Sequence, residues 1–164
     1  MKKSIVLLSV ILFHTCFLFS QDTGGKSSRL RDLAGKQVIA STFDNGGKPY
    51  IVCFWNTSNP VSQQLLNTIV DQYPGWQKET GVKIITVATD DAQNAAKATA
   101  YIQSKGWVYE NYLDQEQDYM HAMHVNNVPH VFVFNGQKEI ILQLTTYTPG
   151  DEQVIYDVVK KTLN

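Results

Sequence analysis

Four places in the chain hold side chains able to do chemistry. Cys53 lies inside the apolar run YIVCFW, and Asn59 and Ser62 bound the turn NPVS that follows Trp55 and the polar residues Asn56, Thr57 and Ser58. Met120, His121, Met123, His124 and His130 fall within eleven residues, and Asp90 is followed directly by Asp91. Disulfide exchange needs a thiolate to attack and a second thiol to resolve the mixed disulfide. A carboxamide does not ionise at usable pH and has no redox couple, so Asn59 cannot take the first role, and Ser62 cannot resolve what never forms. Asn59 suits a helix N-cap, with Pro60 at the favoured first helical position. Cys53, in the middle of an apolar strand, is expected to be an inert core thiol, because burial raises its pKa and denies access.

Thioether and imidazole ligands suit Cu(I) or Zn. On a helix His121 and His124 would share a face, as would Met120 and Met123, with His130 beyond. The plainer reading packs Met123 in the core and leaves the histidines solvated or hydrogen-bonded. Asp90 and Asp91 are expected to cap a helix beginning near Ala92, where negative charge is favourable.

These residues need elements to position them. YIVCFW is continuously apolar, as in a strand buried on both faces of a sheet. Val61, Leu65, Leu66, Ile69 and Val70 follow helical spacing, and Pro74-Gly75 is expected to break or kink that helix. VKIITVAT reads as a second buried strand, and DDAQNAAKATAYIQSKG as an Ala-rich helix closed by Gly106. QVIAST reads as an earlier strand, WVYENYLD as a short extended piece and QDYMHAMHV as about two turns of helix. HVFVFN and KEIILQLTT flank Gly136 as a hairpin, and Asp151 to Leu163 makes a last helix. Strand, helix, strand, helix, hairpin and helix imply an α/β fold with a central mixed sheet covered by helices.

The chain has 164 residues, a net charge of −1 and a pI of about 6.4, which offers no basic face to nucleic acid. Lys2 and Lys3 precede an apolar run from Ile5 to Phe19, closed by Ser20. That pattern predicts a secretory signal peptide over 1–20, a linker over 21–34 and one domain over 35–164. No stable membrane span is expected after cleavage. Removal of the signal takes Cys16 with it and leaves Cys53 as the one thiol, so no internal disulfide can form. No glycine-rich phosphate loop, metalloprotease motif or Ser-His-Asp signature is present, and no cofactor is expected.

From about Gly35 to Leu163 the chain resembles the exported thioredoxin-like proteins of TlpA/ResA type. The carriers are GKPYIVCFWNTSNPVS, GVKIITVATDD, LDQEQDYMHAMHVNNVP, VFVFNGQKEI and YTPGDEQVIYDVV, in the family's order. The resemblance implies a three-layer thioredoxin-like fold with an N-terminal strand or hairpin extension, and a periplasmic or cell-envelope location. It places the family's two cysteines at Asn59 and Ser62, and its cis-proline at Pro129. In the family the residue before that proline, here Val128, offers its backbone to an extended substrate segment. The expected function is therefore non-covalent binding of a protein or peptide at Trp55, Asn59, Pro60, Val128 and Pro129, or an accessory role in envelope redox homeostasis. Two alternatives stand beside it: a thiol-disulfide oxidoreductase acting through Cys53 or a partner's thiols, and a copper or zinc carrier using the His/Met segment.

Overall fold

The computed structural model describes residues 27–163, so the predicted signal peptide lies outside the described residues. Seven strands form one mixed sheet: Arg29–Asp32 (β1), Gln37–Ile39 (β2), Tyr50–Trp55 (β3), Lys83–Ala88 (β4), Glu110–Leu113 (β5), His130–Phe134 (β6) and Ile140–Leu144 (β7). Their order across the sheet is β2-β1-β5-β4-β3-β6-β7. Four helices complete the fold: Pro60–Thr80 (α1), Ala95–Lys105 (α2), Asp118–Ala122 (α3) and Asp151–Lys161 (α4). The chain is an α/β protein of the thioredoxin-like kind, with a β1–β2 hairpin as its N-terminal extension. Part of the expected linker is thus sheet: Arg29–Asp32 pairs with both β2 and β5. Its buried Leu30 supplies the apolar anchor that a true linker lacks.

β3 is the keel. It pairs in parallel with β4 and antiparallel with β6, and all six of its residues are buried. Successive strand side chains point to opposite faces. Ile51, Cys53 and Trp55 accordingly join one core, which also holds the buried residues of α1, α2 and α4. Tyr50, Val52 and Phe54 join the other core, closed by Tyr119 and Met123 around α3 and by Phe43. A residue on β3 has no route to solvent through either layer.

α1 passes through Pro74 and Gly75 without a break, contrary to the sequence expectation. Both lie on the solvent side of the helix, whereas Tyr73, Trp76 and Thr80 are buried. The Tyr73 hydroxyl accepts from the Ile84 N–H at 3.3 Å, and Trp76 stacks on Tyr156 with centroids 4.9 Å apart. Core anchoring on both sides of the pair outweighs the one backbone bond that proline removes. Gly81 then ends the helix in the left-handed conformation at φ 70°. The stretch expected as one strand from Gln37 to Thr42 divides, since Ala40–Thr42 is a 3-10 turn.

Gly136 sits in the β6–β7 turn against the chain that leads into β3. A Cβ at this position would meet the Gly47 carbonyl oxygen at 2.0 Å, a backbone atom that cannot swing aside. Gly136→Ala is therefore expected to lower stability by about 1–3 kcal/mol. Gly75→Ala, with open space around the new methyl, should raise it by roughly 0.5–1 kcal/mol. Urea midpoints of the two variants check the contrast, and shifts of the same sign would contradict it.

Candidate functional site

The loop from β3 into α1 is built by short-range polar bonds. Asn56 Oδ1 accepts from the Ser58 N–H at 3.2 Å and the Ser58 hydroxyl at 3.0 Å. Asn59 is extended, at φ −110° and ψ 99°, and its Oδ1 accepts from the Ser62 N–H at 2.9 Å. Pro60 follows as the first helical residue, so α1 starts with the cap its sequence announces. The Ser62 hydroxyl, fully buried, donates back to the Asn59 carbonyl at 2.7 Å. Gln63 Nε2 donates to the Thr57 carbonyl at 2.8 Å.

Two longer-range contacts close the site. Asp90 accepts from the Thr57 N–H through both oxygens, at 3.1 and 3.2 Å, and from the Thr57 hydroxyl. The other contact is made by Asn59 Nδ2, which donates to the Val128 carbonyl at 2.7 Å. The Val128-Pro129 peptide bond is cis, so the loop that the sequence resemblance singles out lies against the start of α1. A single carboxamide thus caps a helix with its oxygen and holds the Val128 loop with its nitrogen. Asn59, Pro60, Val128 and Pro129 are gathered in one place; Asn59 and Val128 are part-exposed, Pro60 is exposed and Pro129 is buried.

Trp55 does not share that surface. It is fully buried, its ring 4.8 Å from that of Trp107 and 5.7 Å from that of Tyr101. As the last residue of β3 it faces the α1 core, so its expected part in binding is corrected to a packing role.

Cys53 is 2% exposed, and burial pushes its thiol up to about 12. Neither access nor thiolate character is available to it. Among the described residues it is the only cysteine.

The His/Met segment does not form the helical face that its spacing implied. α3 ends at Ala122, and His124 adopts a left-handed φ of 54°. The Val125 N–H reaches the Met120 carbonyl at 2.9 Å and the His124 N–H reaches that of His121 at 3.0 Å. This is the Schellman stop, with histidine in the position glycine usually takes. Asp114, fully buried, starts the same helix by accepting from the Tyr119 and Met120 N–H groups at 3.3 and 2.8 Å. His121 and His124 are exposed while Met123 is core. His130 is buried in β6, stacked on Phe132 with centroids 4.7 Å apart. Its Nε2 lies 2.8 Å from Gln143 Nε2, a carboxamide nitrogen that can only donate. The ring is therefore neutral at Nε2, accepting from the Gln143 amide. Among the described residues no three His, Cys, Asp or Glu side chains gather as metal ligands.

Asp90 does not cap α2, contrary to the sequence expectation. α2 begins at Ala95, and Asp91 alone serves its approach, accepting from the Asn94 N–H at 3.0 Å. Asp90 turns instead to Thr57, a partner 33 residues away that no local pattern discloses.

The AhpC/TSA family model matches residues 22–143, most of the chain and all of the site. The chain belongs to the AhpC/TSA family. A thioredoxin-like protein from Porphyromonas gingivalis, described as uncharacterized, is similar to this family member at 34% identity over 86% of this chain and 94% of its own, with a TM-score of 0.75. The thioredoxin domain of a thiol-disulfide oxidoreductase from Bacteroides vulgatus has a TM-score of 0.64 at 20% identity, covering 86% of this chain and 98% of that one. The bacterioferritin comigratory protein of Xanthomonas campestris, studied for alkyl peroxide reduction, gives 0.68 at 15%, covering 83% and 92%. The last two likenesses concern the fold alone. No curated protein matches.

Burial, the larger influence on His130, lowers its pKa below the ordinary 6.5, while the Asn127 bond works the other way. A group depressed in the folded state contributes stability above its unfolded pKa and loses it as pH falls through the folded one. The His130 ring should therefore titrate below 6.5 when followed by NMR, and stability should decline on acidification from about pH 7. His130→Phe should flatten that part of the profile; a titration midpoint above 6.5 would contradict the burial argument.

Proposed function

We propose that this AhpC/TSA member is a non-covalent binding module for extended polypeptide, exported to the cell envelope. The supporting observation is the Asn59 carboxamide, bonded to Ser62 N–H and Val128 C=O where exchange chemistry would require sulfur. The helix N-terminus and the Val128 loop lie together, which supports a backbone-recognition role. The electron-transfer step has no carrier. Asn59 and Ser62 form hydrogen bonds in place of a disulfide, and Cys53 is sealed in the sheet by both packed layers. Fold membership does not by itself transmit a relative's reaction.

Export rests on the basic head and apolar run of the first twenty residues. No helix among the described residues is long and apolar enough to cross a membrane. Pairing of an extended segment with the Val128 backbone needs no thiol on either side, so the partner is defined by an unpaired backbone and not by cysteine. An oxidoreductase acting through Cys53 would require that residue to leave the core, where it is 2% exposed.

Two measurements check this reading. With dithiothreitol as reductant, insulin reduction should proceed no faster than with the Cys53→Ala variant, and turnover above that control would overturn it. Labelling of native protein by a thiol reagent should be at least about a hundredfold slower than labelling in denaturant, because the thiol is exposed only on unfolding. Stoichiometric modification within seconds would show an accessible Cys53.

A further inference from the structure

We infer that Asn59 is a built-in competitor for the polypeptide partner, occupying the Val128 carbonyl until an incoming backbone N–H displaces it. This rests on the binding reading above and adds its regulation. The Asn59 Nδ2–Val128 O bond is 2.7 Å long and joins residues 69 apart in sequence. The carbonyl is the acceptor that a segment docking along this loop would need. A carboxamide presents the same N–H chemistry as a peptide group, so the latch imitates the first rung of an added strand.

The other half of the side chain explains why the imitation is reversible. Asn59 Oδ1 is held by the Ser62 N–H, and the residue's backbone is fixed by Pro60 and by the Ser62 hydroxyl on its carbonyl. Rotation of the planar amide about its side-chain torsions releases Val128 and the Ser62 N–H together, while Pro60 and the Ser62 hydroxyl leave the backbone of the loop in place. The surroundings do not need to move: Thr57 stays clamped by Asp90 and Gln63. Val61, two residues beyond Asn59 on the first turn of α1, is 40% exposed. The partner is an extended stretch with a free backbone N–H, the same donor type as the carboxamide it displaces.

Asn59→Asp and Asn59→Ser separate the latch from the cap. Both residues are good N-caps and keep an oxygen for the Ser62 N–H. Neither holds the amide donor to Val128: the carboxylate has no proton to give, and the serine side chain is too short to span both partners. The probe is reduced, carboxymethylated α-lactalbumin, which is extended and has no free thiol. One neutral hydrogen bond corresponds to roughly a three- to tenfold change in a binding constant. Both variants should bind the probe tighter than wild type by that factor, and amide exchange at Asn127 and Val128 should quicken in the absence of probe. Wild-type and variant affinities that agree within error would overturn the competitor role while leaving the binding reading intact. Absence of binding by all three proteins would overturn the binding reading, and the competitor role with it. Variants that bind more weakly than wild type would make Asn59 a contact and end the inference.

Discussion

Everything at this site depends on one planar amide that joins the start of α1 to the Val128 loop. Asn59 gives its oxygen to the start of α1 and its nitrogen to the Val128 loop. Few side chains can do both. Aspartate has two acceptors and no donor, serine is short, and a thiol is a weak hydrogen-bonding group on either count. A cysteine here would leave the helix without its strong cap and the carbonyl without its donor. The position thus carries geometry: one carboxamide sets both the helix start and the loop beside it. The surrounding bonds follow the same logic: Thr57, Asn56, Ser62 and Gln63 consume their polar groups within the loop.

The rigidity of that loop is inherited from β3. Its six buried residues are paired on both sides, and their alternation divides the core into two layers. Cys53 belongs to this layering and not to the site. Its sulfur fills space beneath α1 in the same register as Ile51 and Trp55, and the cost of ionising there explains the pKa of about 12. Burial of this depth makes the Cys53 thiol a packing group of the core.

Much of this was legible in the sequence. β3 announced itself as a continuous apolar run, α1 by Asn59-Pro60, and α2 by Gly106 at its end. Each of those signals acts within a few residues of the structure it sets. What escaped was set at a distance. Pro74 and Gly75 look like a break until Tyr73 and Trp76 are seen to be anchored on the far side of the sheet's core. Trp55 sits next to the site in sequence, yet strand alternation turns it inward. His121 and His124 have helical spacing, but the helix stops at Ala122. Asp90 to Thr57 and Asn59 to Val128 are tertiary bonds, and no window of neighbouring residues contains both ends of either.

The most direct measurement of the central claim is a through-hydrogen-bond NMR coupling between the Asn59 side-chain nitrogen and the carbonyl carbon of Val128 in uniformly labelled protein. The account predicts a resolved cross-peak, two inequivalent and slowly exchanging Asn59 amide protons, and loss of the cross-peak when the polypeptide probe is bound. Amide protons of Asn59 that exchange as rapidly as those of a solvated asparagine, with no coupling to Val128, would contradict it.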